Sequence, residues 1–253
     1  MSDLKLTPSD VDLHILHFGM DVFPPIEIRN ERTRLNMFYE EVRSKWPDLF
    51  DRLETSDTLF NIWKEVRSGH RDTDPAHPIP TFSLTQRGPV IRFPLRLPDP
   101  VGQTSFDRES LPELFHSIRD VFFGKLPTLK ILRTGVIREL VFQSGKSPTL
   151  GMLGTDSSFG NAQLQGGVLR SEYRDSKCNI LVTIQPVQAI RATALPIGQV
   201  VHQPAGFGLG VQLDVNNAEL KPMEKPQIDE VIERANSFWP DILLEYLGRR
   251  TGS

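Results

Sequence analysis

The stretch from Leu126 to Gln143 constrains the fold of this chain more than any other part of the sequence. It is rich in β-branched and long aliphatic residues, and its length suits one long strand or a tight pair of strands. Arg133 and Arg138 make it too polar for a strand that is buried on both faces. The stretch therefore predicts a sheet with one covered face and one solvent-facing face.

The apolar residues of this stretch do not keep a single alternation. Leu129 and Ile131 have odd numbers, whereas Leu132 and Val136 have even ones. One extra residue in a strand, a β-bulge, shifts the alternation in this way and bends the sheet. We expect the bulge between Leu132 and Gly135, with Gly135 as the residue that accommodates it.

Strand patterns occur on both sides of the central stretch. They cover residues 12–23, the hairpin of 81–86 and 90–97, the long pair of 162–173 and 179–195, and residues 207–215. Pro94 in the hairpin favours an edge position, because proline has no backbone N–H to donate to a neighbouring strand.

Three segments have apolar residues at helical spacing. The first follows Asn30 and continues past Pro47 in a second piece with Leu49, Phe50 and Leu53; the second has its stripe from Leu111 to Phe122; the third starts at Pro226 and runs to Tyr246. The predicted fold class is therefore α+β. It is a curved antiparallel sheet packed by two long helices near the termini and one helix in the middle of the chain.

A length of 253 residues with 38% hydrophobic residues suits a single domain over 1–253. Twenty prolines argue against an all-helical bundle. An alternative is two pseudo-repeated halves, 1–125 and 126–253, because Trp46-Pro47-Asp48 is repeated as Trp239-Pro240-Asp241. Such a duplication would suit a TATA-binding-protein-like fold. The simpler interpretation is that Trp-Pro-Asp restarts a kinked helix. A helix-grip fold, in which a bent sheet wraps the last helix, is a further alternative.

The composition excludes several classes of protein. The net charge of −3 gives no general reason to expect nucleic acid or an anionic membrane as a partner. The single Cys178 excludes an internal disulfide, and without a secretory signal we expect a cytoplasmic protein. The glycines from Gly206 to Gly210 precede a strand instead of a helix, so they are no dinucleotide fingerprint. The sequence predicts no cofactor.

Two clusters could hold a metal ion. His70, Asp72, Asp74 and His77 lie in one loop, and imidazoles and carboxylates at this spacing can be ligands of a divalent cation. Asp214, followed by Glu219 and Lys221, has the residue types of a metal-dependent nuclease. Solvated polar turns are the simpler interpretation of both clusters.

The charges of the chain are unevenly distributed. Residues 119–191 contain ten basic residues against five acidic ones. On the solvent-facing side of a curved sheet, such side chains could hold phosphates or an acidic protein surface. We predict a binding surface that includes Lys130, Arg133, Arg138, Arg170 and Arg191. Few aromatic residues lie among them, so nucleic acid is a possible partner that is not favoured.

The segment from Lys130 to Ile137, Lys-Ile-Leu-Arg-Thr-Gly-Val-Ile, resembles the Arg-x-Gly-apolar strand of a sporadically distributed prokaryotic family of uncharacterised proteins. Asp214-Val215 and the amphipathic C-terminal helix resemble the closing elements of that family. The last helix departs from it, because it lacks the histidine that members often carry. The resemblance implies the same order of elements and an accessory or defence-associated role, but no reaction.

No complete catalytic constellation occurs in the sequence, which favours a protein that is not an enzyme. The preferred hypothesis is an accessory subunit that binds a protein partner through its curved sheet. One alternative is a small-ligand-binding protein with a cavity between the sheet and the last helix. The other is a metal-dependent hydrolase or nuclease that uses one of the two acidic clusters.

Overall fold

A computed structural model describes residues 6–64, 79–96, 111–142, 158–159, 162–163, 168–194 and 200–251. Its strands are β1 (Val11–Phe23), β2 (Arg52–Thr55), β3 (Phe60–Lys64), β4 (Ile79–Thr85), β5 (Gly88–Arg96), β6 (Lys130–Phe142), β7 (Ser158–Phe159), β8 (Ala162–Gln163), β9 (Leu169–Arg174), β10 (Cys178–Ala194) and β11 (Val200–Asn217). Its helices are α1 (Arg32–Lys45), α2 (Leu111–Lys125), α3 (Lys225–Ser237) and α4 (Asp241–Thr251), and a 3-10 turn (Pro8–Asp10) precedes β1.

Nine strands form one open, curved, antiparallel sheet in the order β2-β3-β4-β5-β1-β6-β11-β10-β9. β7 and β8 form a separate pair. The predicted α+β class and curved antiparallel sheet are confirmed.

The helices pack on one face of the sheet. Phe38 of α1 and Phe122 of α2 contact Phe82 of β4, and Phe115 of α2 stacks on Phe18 of β1 at a centroid distance of 4.6 Å. These rings are fully buried, and the strand residues between them point to the opposite side. We call the helix-packed side the covered face. The other side, over which no helix of the described residues packs, is the open face.

The centre of the sheet is the pair of β1 and β6, and the bulge predicted in β6 is present. The register against β1 skips Leu132, because Ile131 lies opposite Val22 and Arg133 lies opposite Asp21. Residues with odd numbers face the helices before the bulge, and residues with even numbers face them after it. We expected Gly135 to accommodate the bulge, but the extra residue is Leu132. A Cβ at Gly135 would lie 3.0 Å from the Cβ of Asn216, so glycine lets β11 approach.

The strand order is symmetric about the β1–β6 pair. On one side β5, β4, β3 and β2 follow β1, and on the other β11, β10 and β9 follow β6. Each half ends in helix, with α2 after the first set of strands and α3 and α4 after the second. This order is the kind that a duplication near residue 126 would give. The duplication stays a prediction.

The Trp-Pro-Asp repeat does not lie at equivalent places in these two halves. Trp46-Pro47 follows α1, between the first strand and the second, whereas Trp239-Pro240 separates α3 from α4 after the last strand. The tripeptide therefore gives no support to a duplication, and each copy marks the end of a helix. At position 240 the proline ends α3, because its ring excludes the backbone hydrogen bond that would continue the helix. We predicted a single C-terminal helix, and this prediction was wrong, since α3 and α4 are separate helices.

Two other local predictions were also wrong. The helical pattern of Leu49, Phe50 and Leu53 does not extend α1, because Leu53 lies in β2 and pairs with Ile62. Pro94 lies in β5, an inner strand between β4 and β1. An inner strand accommodates this proline because the ladder between β4 and β5 ends at Arg92, and the register against β1 is irregular next to Pro94.

The turn between β4 and β5 requires glycine. Gly88 has a φ of 147°, and a Cβ at this position would lie 2.1 Å from the carbonyl oxygen of Met20. A close approach of this turn to β1 therefore fixes the register of the hairpin, which brings Arg92 opposite His17.

The two halves are also joined by an ion pair between helices. Arg119 of α2 is buried and donates to Asp229 of α3 at 3.0 Å. Asp120 accepts from both Arg119 and Lys225, and these contacts lower the pKa of its carboxyl although its partial burial acts in the opposite direction. The helices thus form one continuous layer on the covered face.

Candidate functional site

The predicted basic surface does not form one cluster. Lys130 is exposed at the start of β6, and Arg133 lies opposite Asp21 three residues further on. Arg170 lies in β9, where it pairs with Glu172 at 2.8 Å, three strands and therefore ~14 Å from β6. Arg191 is opposite Gln203 in β10, and its side chain is outside the described residues.

We predicted Arg138 on the solvent-facing side of the sheet, but it lies on the covered face. Only 5% of it is exposed. Its Nη1 lies 2.6 Å from His14 Nε2, its Nη2 donates to Asn236 Oδ1 at 3.3 Å, and its guanidinium lies 5.4 Å from the ring centroid of Trp239. The physical reason is the bulge at Leu132, which reverses the side on which even-numbered residues of β6 lie. Arg138 therefore has a structural environment between sheet and helices.

Neither predicted metal cluster gains support. His70, Asp72, Asp74 and His77 lie outside the described residues. Asp214 accepts a hydrogen bond from Asn216 Nδ2 at 3.0 Å, and Glu219 pairs with Lys221 at 2.8 Å on an exposed turn. The described ranges contain no group of three or more histidine, cysteine, aspartate or glutamate side chains that could hold a metal ion.

The burial and the hydrogen bonds of Cys178 are those of a structural residue. Cys178 is fully buried at the start of β10, and burial raises the pKa of its thiol to about 11. Its backbone N–H donates to Asp175 Oδ1 at 2.7 Å, and this bond closes the turn between β9 and β10. A thiol that stays protonated at neutral pH is a poor nucleophile.

The open face contains a groove over β3, β4, β5 and β1, with a volume of about 500 Å³. Its lining residues are His17, Glu54, Asn61, Trp63, Thr81, Ser83, Val90 and Arg92. Each strand contributes the side chains that alternate with buried ones, such as Trp63 beside Ile62 and Arg92 beside Ile91. We call this feature the open-face groove.

The residues of the groove form rows across the strands. In one row Trp63 is the cross-strand partner of Thr81, Thr81 of Arg92, and Arg92 of His17. A parallel row joins Asn61, Ser83 and Val90. Because neighbouring strands are ~4.8 Å apart, these side chains project at regular intervals from a rigid surface.

Four polar atoms around this groove are shielded from solvent and have no hydrogen-bond partner among the described residues: His17 Nε2, Asn61 Oδ1, Thr81 Oγ1 and Arg92 Nε. A buried polar atom without a partner costs about 1–3 kcal/mol in a folded protein, so most such atoms are satisfied. Four of the seven such atoms found in the described part of the chain lie at this one groove. This concentration makes the open-face groove the candidate functional site.

One of the four atoms has a carboxylate nearby. His17 Nε2 lies 3.4 Å from Glu139 Oε2, close enough for an ion pair but not aligned as a hydrogen bond. The interaction with His17 is the main cause that lowers the pKa of Glu139, against partial burial, and Arg92 adds a weaker attraction. Glu139 therefore stays ionised next to the groove and holds the His17 ring from the side of β6.

The sequence patterns did not predict this site. Trp63, Thr81 and Arg92 lie on three strands, and only the register between those strands brings them together. A signal was present, since in β1, β3, β4 and β5 polar residues alternate with large apolar ones. That alternation identifies the open-face residues of each strand, but it does not say which residues become neighbours.

A second, apolar groove of about 360 Å³ opens at the other end of the molecule, between the sheet and the last two helices. Its lining includes Val182, Leu213, Phe238, Ile242 and Tyr246. Tyr246 donates to Ser171 Oγ at 3.1 Å, which ties α4 to β9 beside this opening. The rest of the space between sheet and helices is filled by the buried side chains of the core.

The chain matches no protein-family model, no curated protein and no solved structure. Among the residues that the structure describes, none of the helices has both the length and the apolar character needed to cross a membrane. The resemblance suggested by residues 130–137 stays a prediction.

Proposed function

We propose that the protein is a non-catalytic binding module that holds a protein partner on the open face of its curved sheet. The observation that carries this proposal is the set of four shielded, unsatisfied polar atoms at the open-face groove. A partner segment that fills the groove would supply the missing hydrogen bonds once the side chains rotate to expose these atoms, and the bonds would be directional because the sheet fixes each backbone position.

The arrangement of the groove favours recognition over catalysis. A hydroxyl nucleophile needs a general base within about 3 Å. Thr81 is two strands away from His17, which is ~10 Å. The imidazole of His17 is paired with Glu139 instead. The remaining lining groups are hydrogen-bond donors, acceptors and an indole, which are suited to binding.

The resemblance to the prokaryotic family suggests the context for such a module. An accessory subunit of a bacterial multi-protein system, including a defence-associated one, would use a partner-binding face and would need no cofactor. This part of the proposal rests on the resemblance of residues 130–137 and of the closing elements, and the groove supports only the binding role.

Comparison of two arginine variants tests the proposal. Wild type, Arg92→Gln and Arg170→Gln are used as baits in a lysate of the native host, and retained proteins are identified by mass spectrometry. Both arginines lie on the same face, but they are five strands apart in the sheet order. We expect a partner that wild type and Arg170→Gln retain and that Arg92→Gln loses.

The retained partner is then purified, and its affinity is measured by calorimetry. We expect Arg92→Gln to weaken binding by tenfold or more, and Arg170→Gln to stay within twofold of wild type. If Arg170→Gln weakened binding more than Arg92→Gln, the binding face would lie at the basic residues predicted from the sequence. Equal retention by all three baits would contradict the proposal.

The apolar groove favours a second candidate function, the binding of a small apolar ligand between the sheet and α4. A 360 Å³ space that is lined mainly by aliphatic and aromatic side chains suits such a molecule. Titration with a fluorescent fatty acid tests this. Saturable binding that Leu213→Gln abolishes would support the candidate, and the absence of saturable binding to wild type would remove it.

A further inference from the structure

The row of residues across the open-face groove has a distinct chemical character. It begins with Arg52 of β2 and continues through Trp63, Thr81, Arg92 and His17. Three of these five side chains are basic types, one is an indole, and none is acidic. The acidic lining residue, Glu54, lies in the parallel row next to Asn61.

The spacing of this row places an aromatic surface at a fixed distance from a cation. Trp63 and Arg92 are separated by one strand that carries the small Thr81, so their backbones are ~10 Å apart. Because the threonine side chain is short, the groove is open between the indole and the guanidinium. A ligand that spans the two groups must carry its charge and its ring at this separation.

No ion pair of the Arg92 guanidinium occurs among the described residues, and its Nε has no hydrogen-bond partner there. Glu139 is attracted by Arg92 but lies against His17. A guanidinium has five N–H donors in a planar fork that fits a carboxylate with two parallel hydrogen bonds. The geometry of Arg92 thus selects a negatively charged, planar group.

We propose that the open-face groove binds a carboxylate that is linked to a planar apolar ring, with the carboxylate on Arg92 and the ring against Trp63. In a protein partner this corresponds to an acidic side chain close to an aromatic one, so the inference deepens the proposed function and rests on it. After side-chain rotation exposes the two shielded atoms, the hydroxyl of Thr81 donates a further hydrogen bond to the carboxylate, and Asn61 Oδ1 accepts from a backbone N–H of the same segment.

The charges of the groove decide between an acidic and a basic ligand. An ammonium or guanidinium group near the centre of the row would face the guanidinium of Arg92, and like charges at this distance repel each other. The carboxylates of Glu54 and Glu139 flank the row, with Glu54 beside Asn61 and Glu139 against His17, so a cation would be attracted to the flanks. A carboxylate at the centre meets opposite charge and a hydroxyl donor.

A matched pair of small probes tests this chemistry without the partner. The probes are 3-phenylpropionate and 3-phenylpropionamide, which have the same shape and ring but differ in charge. Their dissociation constants are measured by calorimetry on the full chain at low salt. We expect the acid to bind at least tenfold more tightly than the amide, and its affinity to fall as salt is added.

Three variants assign the two ends of the site. Arg92→Gln should remove the preference for the acid over the amide, and Trp63→Ala should weaken both probes by a similar factor. Arg170→Gln, on the same face but outside the groove, should leave both affinities within twofold of wild type. Circular dichroism and thermal melting verify that each variant is folded.

Equal affinity of wild type for acid and amide would overturn the inference, and so would an Arg92→Gln variant that keeps the preference. The failure of the proposed function is a separate result. If the acid binds as expected while no partner depends on Arg92, the subsite stands and the protein partner is wrong. If a partner depends on Arg92 while the two probes bind alike, the binding module stands and the carboxylate subsite is wrong.

Discussion

Strand β1 has two histidines, one on each face of the sheet, and each has an arginine beside it. On the covered face His14 contacts Arg138 of β6, and the open-face neighbour of His17 is Arg92 of β5. Helix α3 and the turn after it supply Asn236 and Trp239 above the first pair. No described helix lies above the second pair, and Arg92 Nε has no hydrogen-bond partner within the described ranges.

The difference shows that residue type alone does not assign a role to an arginine in this sheet. The same pair of side chains becomes part of the core where Trp239 packs over it and Asn236 accepts a hydrogen bond from the arginine. It becomes a candidate binding site where no described helix packs over it. The two faces should therefore respond differently to matched substitutions.

The largest contrast is expected between neighbouring residues of β4. Phe82 is buried against the rings of Phe38 and Phe122, so Phe82→Ala should lower the free energy of unfolding by about 3–5 kcal/mol. Ser83→Ala, on the open face, should change it by less than about 0.5 kcal/mol. Urea denaturation measures both, and similar losses would mean that the open face is covered in solution.

The two arginines should differ in the same direction. Arg138→Met removes the buried guanidinium that donates to His14 and Asn236, and we expect the free energy of unfolding to fall by about 2–4 kcal/mol. Arg92→Met removes a guanidinium whose Nε has no hydrogen-bond partner in the described part of the chain, so we expect a change within about 0.5 kcal/mol or a small gain. A large loss for Arg92→Met would identify it as a structural residue and would contradict the site.

Thr81→Val should stabilise the protein by up to about 1 kcal/mol. The substitution keeps the shape of the side chain and its preference for strands, and it removes a hydroxyl that has no hydrogen-bond partner among the described residues. The same variant should weaken binding of 3-phenylpropionate. A stability gain together with a binding loss is typical of a functional site, whereas destabilisation would show that the hydroxyl has a structural role.

The smallest effect is expected in the dependence of stability on pH. The pKa of Glu139 is lowered in the folded state, chiefly by His17. A carboxyl of this kind stabilises the fold above its unfolded pKa of about 4.3, and the contribution is lost as pH falls through the lower folded value. His17→Gln should therefore lose less stability than wild type between pH 5 and pH 3. Identical slopes in denaturation series at these pH values would contradict the pairing.

Local sequence patterns predicted single helices and strands better than they predicted which elements lie side by side. The alternation in β1 and the stripe of α2 predicted both elements, and the parity change near Leu132 predicted a bulge. The same parity change also determines the face on which Arg138 lies, because even-numbered residues after the bulge point to the covered face. The break of the last helix at Pro240 follows from proline chemistry, although the apolar spacing continues past it.

The candidate site could not be derived in the same way. The cross-strand row joins His17, Trp63 and Arg92, which are far apart in the sequence, and the register that aligns them is set by distant contacts such as that of Gly88 with β1. The excess of positive charge predicted a binding surface within residues 119–191 instead. Charge counts ignore the face on which each residue lies, and that face decides whether its hydrogen bonds are already made.

The most direct test of the open-face groove is a two-dimensional ¹H–¹⁵N NMR titration of the full chain with 3-phenylpropionate. We predict that the perturbed backbone amides lie in β1, β3, β4 and β5, around His17, Thr81 and Arg92, and that the indole N–H of Trp63 shifts with them. Perturbations centred on the apolar groove at Leu213 and Ile242, or on Arg170 in β9, would contradict the assignment of the binding site to the open-face groove.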